Sequence, residues 1–364
     1  TLNLIDKNFP KLKVNLLCAK SNIKTLTKQI HKYKPNYAFL NDINKFNKPI
    51  MKIGKTKILN YKELLSYLSS SKSNMSVLAI SGYKSLYFLE HIIKNTDNLG
   101  IASKEAIVSA GHIFRKKKFF KKTNIFPLDS EHFSLFENLN YRTNNAKIKK
   151  IILTASGGPF YKKHFKSLKN IKFSQAIKHP KWKMGYKNSI DSATLANKCL
   201  ELIEAHYLFN IPLNKLDILI HPQSLVHSII EGNNYVSKMI YFHNDMKIPL
   251  MNFLDNTNTL KLPKIKKFNI LQPLHLEFLQ VSKDTFPLYF YFNSVNKSNP
   301  CNLIKFNIGN EYAVDLFKQK KISYPEIMQI IKEITSLNLN SDVRTIDNII
   351  QYHEDLKEYI QSNY

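Results

Sequence analysis

The sequence predicts an α/β protein built from three parts. Short apolar runs alternate with amphipathic stretches as far as about Ile125, which predicts a parallel sheet with helices on both faces. From there to about residue 260 strand candidates predominate, which indicates an α+β domain with an open sheet. Beyond about Val281 the spacing of apolar residues is helical. With 364 residues, 43% of them hydrophobic, the chain can bury a sizeable core.

The first part is predicted to present a binding edge. Ligands of parallel α/β sheets lie at the carboxyl ends of the strands, and Lys104 and Glu105 fall at one such end. One helix is expected to be capped by Ser21 or Asn22. The expected strands are residues 13–19, 36–42, 75–81 and 99–103, and the expected helices are 22–33, 85–95 and one that begins near 104.

The later parts are predicted to be separated by a lysine- and proline-rich connection at residues 261–273. We therefore expect domains at 1–128, 129–260 and 281–364, with a linker at 261–280. Strands are expected at 125–132, 150–160, 216–230 and 235–242, and helices at 310–320, 324–334 and 343–361.

Charge and composition restrict the class of protein. The formal net charge is +27, but the lysines are spread along the chain among many Asn, Ile, Phe and Tyr residues, which favours AT-rich codon usage over a nucleic-acid partner. The densest patch, residues 114–122, is typical of a solvated face. No apolar run reaches the roughly 18 residues of a membrane span. Three scattered cysteines favour a reducing compartment. We expect no membrane partner and a bacterial cytoplasm, possibly of a symbiont, or a plastid-like organelle.

Two short motifs could bind ions. Asp129 and Glu131 are two residues apart, and on the expected strand they would point to the same side, where oxygen ligands suit Mg²⁺ or Mn²⁺. Most such pairs are solvated, which is the alternative. Ser156 precedes Gly157 and Gly158, and adjacent glycines let backbone N–H groups approach an anion. The alternative here is a plain tight turn.

A third motif places polar residues on one helix face. Asp191 or Ser192 is expected to cap this helix, with Ser192 directed toward an anion. Asn197, Lys198 and Glu201 would share a face. Such a set suits a phosphorylated, polyhydroxylated substrate together with a metal. In the polar loop before the helix, His179 and Trp182 are candidates for a lid.

These motifs occur in the order ASKEAIVSAG, PLDSEH, SGGPF, HPKWKMG, DSATLANKCLE, HPQSLVHS and NIGNE. Together they resemble the 1-deoxy-D-xylulose 5-phosphate reductoisomerase family over nearly the whole chain. The resemblance implies a Rossmann-type NADPH-binding domain, a catalytic domain, a C-terminal helical domain and a homodimer. It also implies a metal-dependent retro-aldol and aldol rearrangement of the phosphorylated sugar. Hydride from NADPH then gives 2-C-methyl-D-erythritol 4-phosphate.

The resemblance also implies roles for individual residues. The implied Mg²⁺ or Mn²⁺ ligands are Asp129, Glu131 and Glu201. The implied substrate and phosphate contacts are Lys104, Ser130, Glu131, Ser156, His179, Ser192, Asn197, Lys198 and Glu201. The implied NADPH contacts are Ser103, Glu105 and Gly185, with Lys20, Ser21 and Asn22 in the loop that would meet the 2′-phosphate. Trp182 and Met184 would belong to the flap, and His227 would lie behind the ligands.

The chain departs from the family pattern at a few positions. Ser103 stands where members usually have Asn, Cys199 where they have Gly, and residues 19–22 differ from the usual Gly-Lys-Asn. Residues 1–5 resemble the inside of the first helix, so we expect the first strand and its glycine-rich loop upstream. The strands near 14–17 and 77–80 should then flank an unpaired slot about 10 Å wide, and NADPH should bind poorly.

Two other functions remain open from the residues. Another NADP-dependent oxidoreductase on the same scaffold would need a catalytic Cys or Lys in place of the carboxylates. A non-catalytic, basic nucleic-acid-binding protein would need lysines clustered on one face and salt-dependent binding. Neither alternative explains why Asp129, Glu131 and Glu201 all occur in motifs that resemble those of the reductoisomerase family.

Overall fold

The first part of the molecule contains two separate parallel sheets with helices packed on them. The computed structural model describes residues 1–43, 50–116, 122–140, 147–178, 185–255 and 274–364. The elements of this part are α1 (Leu2–Asn8), β1 (Leu16–Ala19), α2 (Ile23–Tyr33), β2 (Tyr37–Leu40), β3 (Lys52–Ile53), β4 (Thr56–Leu59), α3 (Tyr61–Ser70), β5 (Ser73–Leu78), α4 (Leu86–Lys94), β6 (Thr96–Ile101), α5 (Lys104–Lys116) and β7 (Asn124–Pro127).

The expected parallel sheet is divided in two. One sheet has the order β1-β2-β4-β3, in which only β3 is antiparallel, and the other has the order β5-β6-β7. Among the described strands β1 pairs only with β2, and β5 only with β6. The two strands expected to flank a slot are thus edge strands of different sheets. Asn22 caps α2, as predicted, by accepting a hydrogen bond from the Thr25 backbone N–H at 2.9 Å.

The middle part is a five-stranded mixed sheet covered by helices. Its strand order is β11-β10-β8-β9-β12, with only the β8–β9 pair parallel. It contains more helix than predicted. The elements are α6 (Ser130–Asn140), β8 (Ile148–Ala155), α7 (Phe173–Ala176), α8 (Tyr186–Thr194), α9 (Ala196–Phe209), β9 (Leu216–Ile220), β10 (Val226–Gly232), β11 (Ser237–Tyr241), α10 (Lys247–Leu254) and β12 (Leu279–Gln280).

The strand predicted over residues 125–132 is wrong in its second half. The strand β7 ends at Pro127, and α6 begins at Ser130. Asp129 Oδ1 accepts the backbone N–H groups of Glu131 at 3.1 Å and His132 at 3.4 Å. An aspartate before a helix with a glutamate in its first turn is an N-terminal signal, which overrides the alternation expected of a strand.

The helix expected to be capped by Asp191 or Ser192 is also placed differently. Both residues lie inside α8, which ends at Thr194. Leu195 then adopts the left-handed conformation, with φ 67°, and α9 begins at Ala196. Ser192 is therefore in the last turn of one helix instead of at the start of the next.

The C-terminal part is helical, as predicted. Its helices are α11 (Pro287–Ser294), α12 (Pro300–Lys318), α13 (Tyr324–Ser336) and α14 (Ile346–Asn363). They share one continuous apolar core with β6, α5, β8, α8, α9 and β9, whereas β1, β2, β4 and α2 enclose small cores of their own. This core contains residues on both sides of the predicted limit near residue 281. The predicted domain limits stay predictions.

No helix in the described ranges is both long and apolar enough to cross a membrane. Most of the predicted linker lies outside the described residues, since residues 256–273 are not among them.

Candidate active site

Three carboxylates from two helices meet at one point. Asp129 precedes α6, Glu131 lies in its first turn, and Glu201 lies in α9. One ligand oxygen from each lies within 4.8 Å of the others. The three carboxylates that the family resemblance implies as metal ligands therefore lie together in the structure. Such an all-oxygen set suits a hard divalent cation.

Two buried lysines compensate the three carboxylates. Lys104 Nζ lies 3.2 Å from Asp129 Oδ2 and 2.9 Å from Glu201 Oε1. Lys198 Nζ lies 2.9 Å from Glu131 Oε1 and 2.7 Å from Glu201 Oε2. With the His132 ring, which lies 3.1 Å from Asp129 Oδ1, positive charge lies close to all three carboxylates. A divalent cation bound here would take the oxygens that the two ammonium groups now contact.

The protonation of the cluster follows from these contacts. Burial alone would raise the pKa of Glu131, but the Lys198 ammonium lowers it to about 2. Burial likewise opposes ionisation of Asp129, yet Lys104 and His132 hold its pKa well below the usual range. The pKa of Glu201 is raised by burial and by Asp129. A cation bound beside Glu201 would lower this pKa and favour its ionised form.

Asn197, Ser130 and His227 surround the carboxylates. The Asn197 amide donates to Glu201, and its oxygen accepts from Lys104 Nζ at 2.9 Å. The Ser130 hydroxyl donates to Glu131 Oε2 at 2.7 Å. His227 Nδ1 lies 3.5 Å from Glu131 Oε1. These residues therefore join the lysines in fixing the carboxylate orientations.

The buried pair His132 and Glu204 was missed by the sequence analysis. His132 Nδ1 lies 3.1 Å from Asp129 Oδ1 and 3.4 Å from Glu204 Oε2, and Nε2 lies 3.0 Å from the Glu201 backbone oxygen. Burial lowers the pKa of His132, but Glu204 and Asp129 raise it to about 9. The protonated ring donates from Nδ1 to Asp129 and from Nε2 to the Glu201 carbonyl, and so orients the Asp129 carboxylate against α9. The signal was the spacing of three residues from Asp129 to His132 and from Glu201 to Glu204.

A second group of polar atoms lies where β8 meets α8. The hydroxyl oxygens of Ser156 and Ser192 are 3.4 Å apart, and the Gly158 N–H donates to Ser156 Oγ at 3.2 Å. Gly157 and Gly158 both have left-handed backbones, with φ 80° and 63°. A Cβ at Gly158 would lie 2.9 Å from the Cα of Ala193. Only glycine lets this turn approach the end of α8 so closely.

The predicted cofactor residues lie after β1, after β6 and before α8. Ser103 Oγ donates to the Ile80 carbonyl at 2.5 Å and so ties the end of β6 to the segment after β5. Glu105, in the first turn of α5, lies 3.4 Å from Lys187. Lys20, Ser21 and Asn22 follow β1, and Gly185 precedes α8. His179, Trp182 and Met184 lie outside the described residues.

Comparison with known proteins identifies the family. A sequence model described as 1-deoxy-D-xylulose 5-phosphate reductoisomerase matches residues 1–111, and models of C-terminal domains of that enzyme match 125–209 and 243–359. The chain is 34% identical to the reductoisomerase of Clostridium botulinum (strain Loch Maree / Type A3) over 372 residues, which covers 100% of this chain and 95% of that relative. This chain belongs to the 1-deoxy-D-xylulose 5-phosphate reductoisomerase family. The enzyme of Malacoplasma penetrans (strain HF-2) is 36% identical over 313 residues, covering 84% of this chain and 79% of that relative.

Solved reductoisomerase structures have the same fold. A crystal structure in complex with NADPH, fosmidomycin and magnesium superposes with a TM-score of 0.90 at 27% identity, covering 99% of this chain and 94% of that one. The enzyme of Zymomonas mobilis in complex with NADPH gives a TM-score of 0.85, also at 27% identity, covering 98% and 93%. The predicted α/β fold with its cofactor, catalytic and helical parts is confirmed.

The activity predicted from the sequence is confirmed with the family. The chain is a reductoisomerase of the non-mevalonate pathway that converts 1-deoxy-D-xylulose 5-phosphate to 2-C-methyl-D-erythritol 4-phosphate. It is an oxidoreductase that depends on NADPH and requires a divalent metal.

Proposed function

We propose that Asp129, Glu131 and Glu201 hold the divalent cation of this reductoisomerase. The observation that carries the proposal is the convergence of their three oxygens within 4.8 Å. A bound Mg²⁺ or Mn²⁺ polarises the carbonyl and adjacent hydroxyl of the substrate. His132 keeps the Asp129 carboxylate in place by donating to it. Lys104, whose ammonium already lies among these oxygens, can donate to a substrate oxygen as charge moves during the rearrangement.

The substrate phosphate is assigned to Ser156, Ser192, Asn197 and Lys198. Two hydroxyls 3.4 Å apart beside a glycine turn offer neutral donors to an anion. Lys198 offers a charge-assisted donor, and Asn197 a rigidly held amide. Both belong to the first turns of α9, which follows directly on the helix that carries Ser192. The sugar would then extend from these donors toward the carboxylates.

The nicotinamide cofactor is assigned to the edge formed by residues after β1, β5 and β6. Its proposed contacts are Lys20, Ser21, Asn22, Ser103, Glu105 and Gly185. Ligands of parallel sheets bind beyond the carboxyl ends of the strands, and all of these residues except Gly185 follow β1 or β6. Gly185 instead precedes α8. The flap role of His179, Trp182 and Met184 stays a prediction.

Replacement of Ser192 by alanine tests the phosphate assignment. We expect the KM for 1-deoxy-D-xylulose 5-phosphate and the Ki for inorganic phosphate each to rise about fivefold, since one hydrogen bond to a charged group is lost. Steady-state kinetics with phosphate as a competitive inhibitor measures both. Ser189→Ala is the control, because Ser189 lies one turn before Ser192 in α8 and, among the described residues, its hydroxyl donates to the carbonyl of Gly185 directly before the helix. A Ser192→Ala enzyme with both constants unchanged would place the phosphate elsewhere.

A homodimer is proposed on the basis of the exposed strand β11. This strand lies at the edge of the five-stranded sheet, where among the described strands it pairs only with β10. Tyr235, Val236 and Met239 are 98%, 51% and 49% exposed on and beside it. Exposed apolar residues on an unpaired edge favour association with a second copy. We also propose a bacterial cytoplasmic location, since the relatives compared above are bacterial.

Charged substitutions on this edge are expected to separate the subunits. In the double variant Val236→Glu/Met239→Glu, like charges would face each other across a two-fold contact. Light scattering should then give the mass of one 42.4 kDa chain instead of two. Leu339→Glu, at a residue 45% exposed between α13 and α14, should leave the mass of the dimer unchanged. An unaltered dimer in the double variant would refute this interface.

A further inference from the structure

A buried polar network joins three helices beside the proposed phosphate site. Asp191 in α8 is 1% exposed, and its carboxylate is held from two sides. Its Oδ1 accepts from the Asn310 amide at 2.9 Å, and its Oδ2 accepts from Lys187 Nζ at 2.7 Å. Lys187 also lies 3.4 Å from Glu105 in α5. The C-terminal helix α12 is thereby linked to α8 and, through Lys187, to α5.

The charges in this network favour a fixed arrangement. Burial alone would lower the pKa of Lys187, but Asp191 and Glu105 raise it above its usual value. Burial would raise the pKa of Glu105, but Lys187 lowers it. Asn310 is fully buried and supplies a neutral donor to the same carboxylate. Removing that donor leaves an oxygen of a buried carboxylate without a partner, which is more costly than the loss of an exposed hydrogen bond.

The network acts on the turn of α8 that carries Ser192. This turn is the last one of the helix, because Leu195 leaves the helical conformation directly after Thr194. On one side Gly158 packs closely against Ala193. On the other side, the Asn310 bond to Asp191 holds the residue next to Ser192. A helix end has few hydrogen bonds of its own, so such contacts determine its position.

We infer that Asn310 is a positioning residue for substrate binding. Acting through Asp191, it holds the end of α8 so that the Ser192 hydroxyl faces Ser156. The C-terminal helical part thereby sets the affinity of the catalytic part for the phosphate group. This inference rests on the proposed assignment of the phosphate to Ser156 and Ser192.

Replacement of Asn310 by alanine tests the inference in the full-length enzyme. We expect the Ki for inorganic phosphate and the KM for the substrate to rise about fivefold or more, with a smaller change in kcat. The activation constant for Mg²⁺ should stay within about twofold of wild type, because no metal-site carboxylate contacts Asn310 among the described residues. General loss of structure would shift all of these constants together.

Asn307→Ala is the matched control. Asn307 lies one turn earlier in α12 and is equally buried, but neither of its amide atoms has a hydrogen-bond partner among the described residues. The control should keep the Ki for phosphate near wild type. If Asn307→Ala and Asn310→Ala raised that Ki equally, helix packing alone would explain the effect and the inference would be overturned.

An exchange of the two partners provides a second test. Asn310→Asp should raise the Ki for phosphate further than Asn310→Ala, because two carboxylates would then face each other in a buried place. Adding Asp191→Asn restores an amide–carboxylate pair with unchanged total charge but weakens the contact with Lys187, so the Ki should fall clearly below that of Asn310→Asp without reaching the wild-type value. Failure of the folded double variant to recover would overturn the inference.

The same measurements separate the inference from the assignment on which it rests. If Ser192→Ala raises the Ki for phosphate and Asn310→Ala does not, the phosphate site stands and the positioning role is wrong. If neither substitution changes the Ki, the phosphate assignment itself is wrong.

Discussion

The Glu201→Gln enzyme is expected to lose about a thousandfold in kcat/KM. Glutamine keeps the shape of the side chain but removes the charge of the one carboxylate that contacts both lysines. Loss of a metal ligand removes several kcal/mol of stabilisation for the polarised substrate, and about 4 kcal/mol corresponds to a thousandfold. NADPH consumption measured against Mg²⁺ concentration gives both kcat/KM and the activation constant of the metal, which should rise.

Glu204→Gln is the matched control for this result. Glu204 lies one turn further along the same helix and is equally buried, but it is not part of the carboxylate trio. A glutamine there keeps the shape of the side chain beside the His132 ring. The control should keep an Mg²⁺ activation constant within a few-fold of wild type. Equal losses in the two variants would mean that Glu201 has no special relation to the metal.

Lys198→Met should affect substrate and metal in opposite directions. The substitution removes a charge-assisted donor to phosphate, so we expect the KM for the substrate to rise about tenfold or more. It also removes a cation from between Glu131 and Glu201, so the Mg²⁺ activation constant should stay unchanged or fall. Steady-state kinetics varying each component in turn separates the two effects.

Lys149→Met controls for a general effect of lost charge. Lys149 forms an ion pair with Glu231 at 2.7 Å, but its side chain is 60% exposed. Exposed pairs of this kind contribute about 0–1 kcal/mol, so this enzyme should resemble wild type. A Lys198→Met enzyme with an unchanged KM and a raised activation constant for Mg²⁺ would assign Lys198 to the metal site alone.

Much of the candidate site could be predicted because its residues lie in short, contiguous sequence motifs. Asp129, Glu131 and Glu201 were found from their residue types and order, although the local structure around Asp129 was predicted wrongly. A three-residue polar motif fits both a strand and a helix N-terminus, and the periodicity of neighbouring apolar residues does not decide between them. The predicted proximity of Asp129 and Glu131 does not depend on this error, since a strand and a helix N-terminus both bring the two side chains together.

Other features depend on contacts that sequence spacing does not contain. The break at Leu195 falls on a residue type that rarely adopts the left-handed backbone, so the sequence does not indicate it. The Asn310–Asp191 bond joins residues 119 positions apart. His132 looks like a surface residue in sequence, and its full burial follows from the position of α9 above it. These are tertiary effects, whereas helix and strand periodicity is local.

The unequal division of the apolar core has a consequence for cooperativity. The C-terminal helices and the catalytic sheet cannot lose their packing separately, because they enclose the same buried side chains. The sheet of β1 to β4 rests instead on small clusters such as Leu26, Ile30 and Leu40. Partial opening therefore requires least free energy on the side proposed for the nucleotide. The three carboxylates lie in the part built on the large shared core, which unfolds last. Local opening near β1 to β4 can therefore accompany the exchange of NADPH for NADP⁺ without separating the carboxylates.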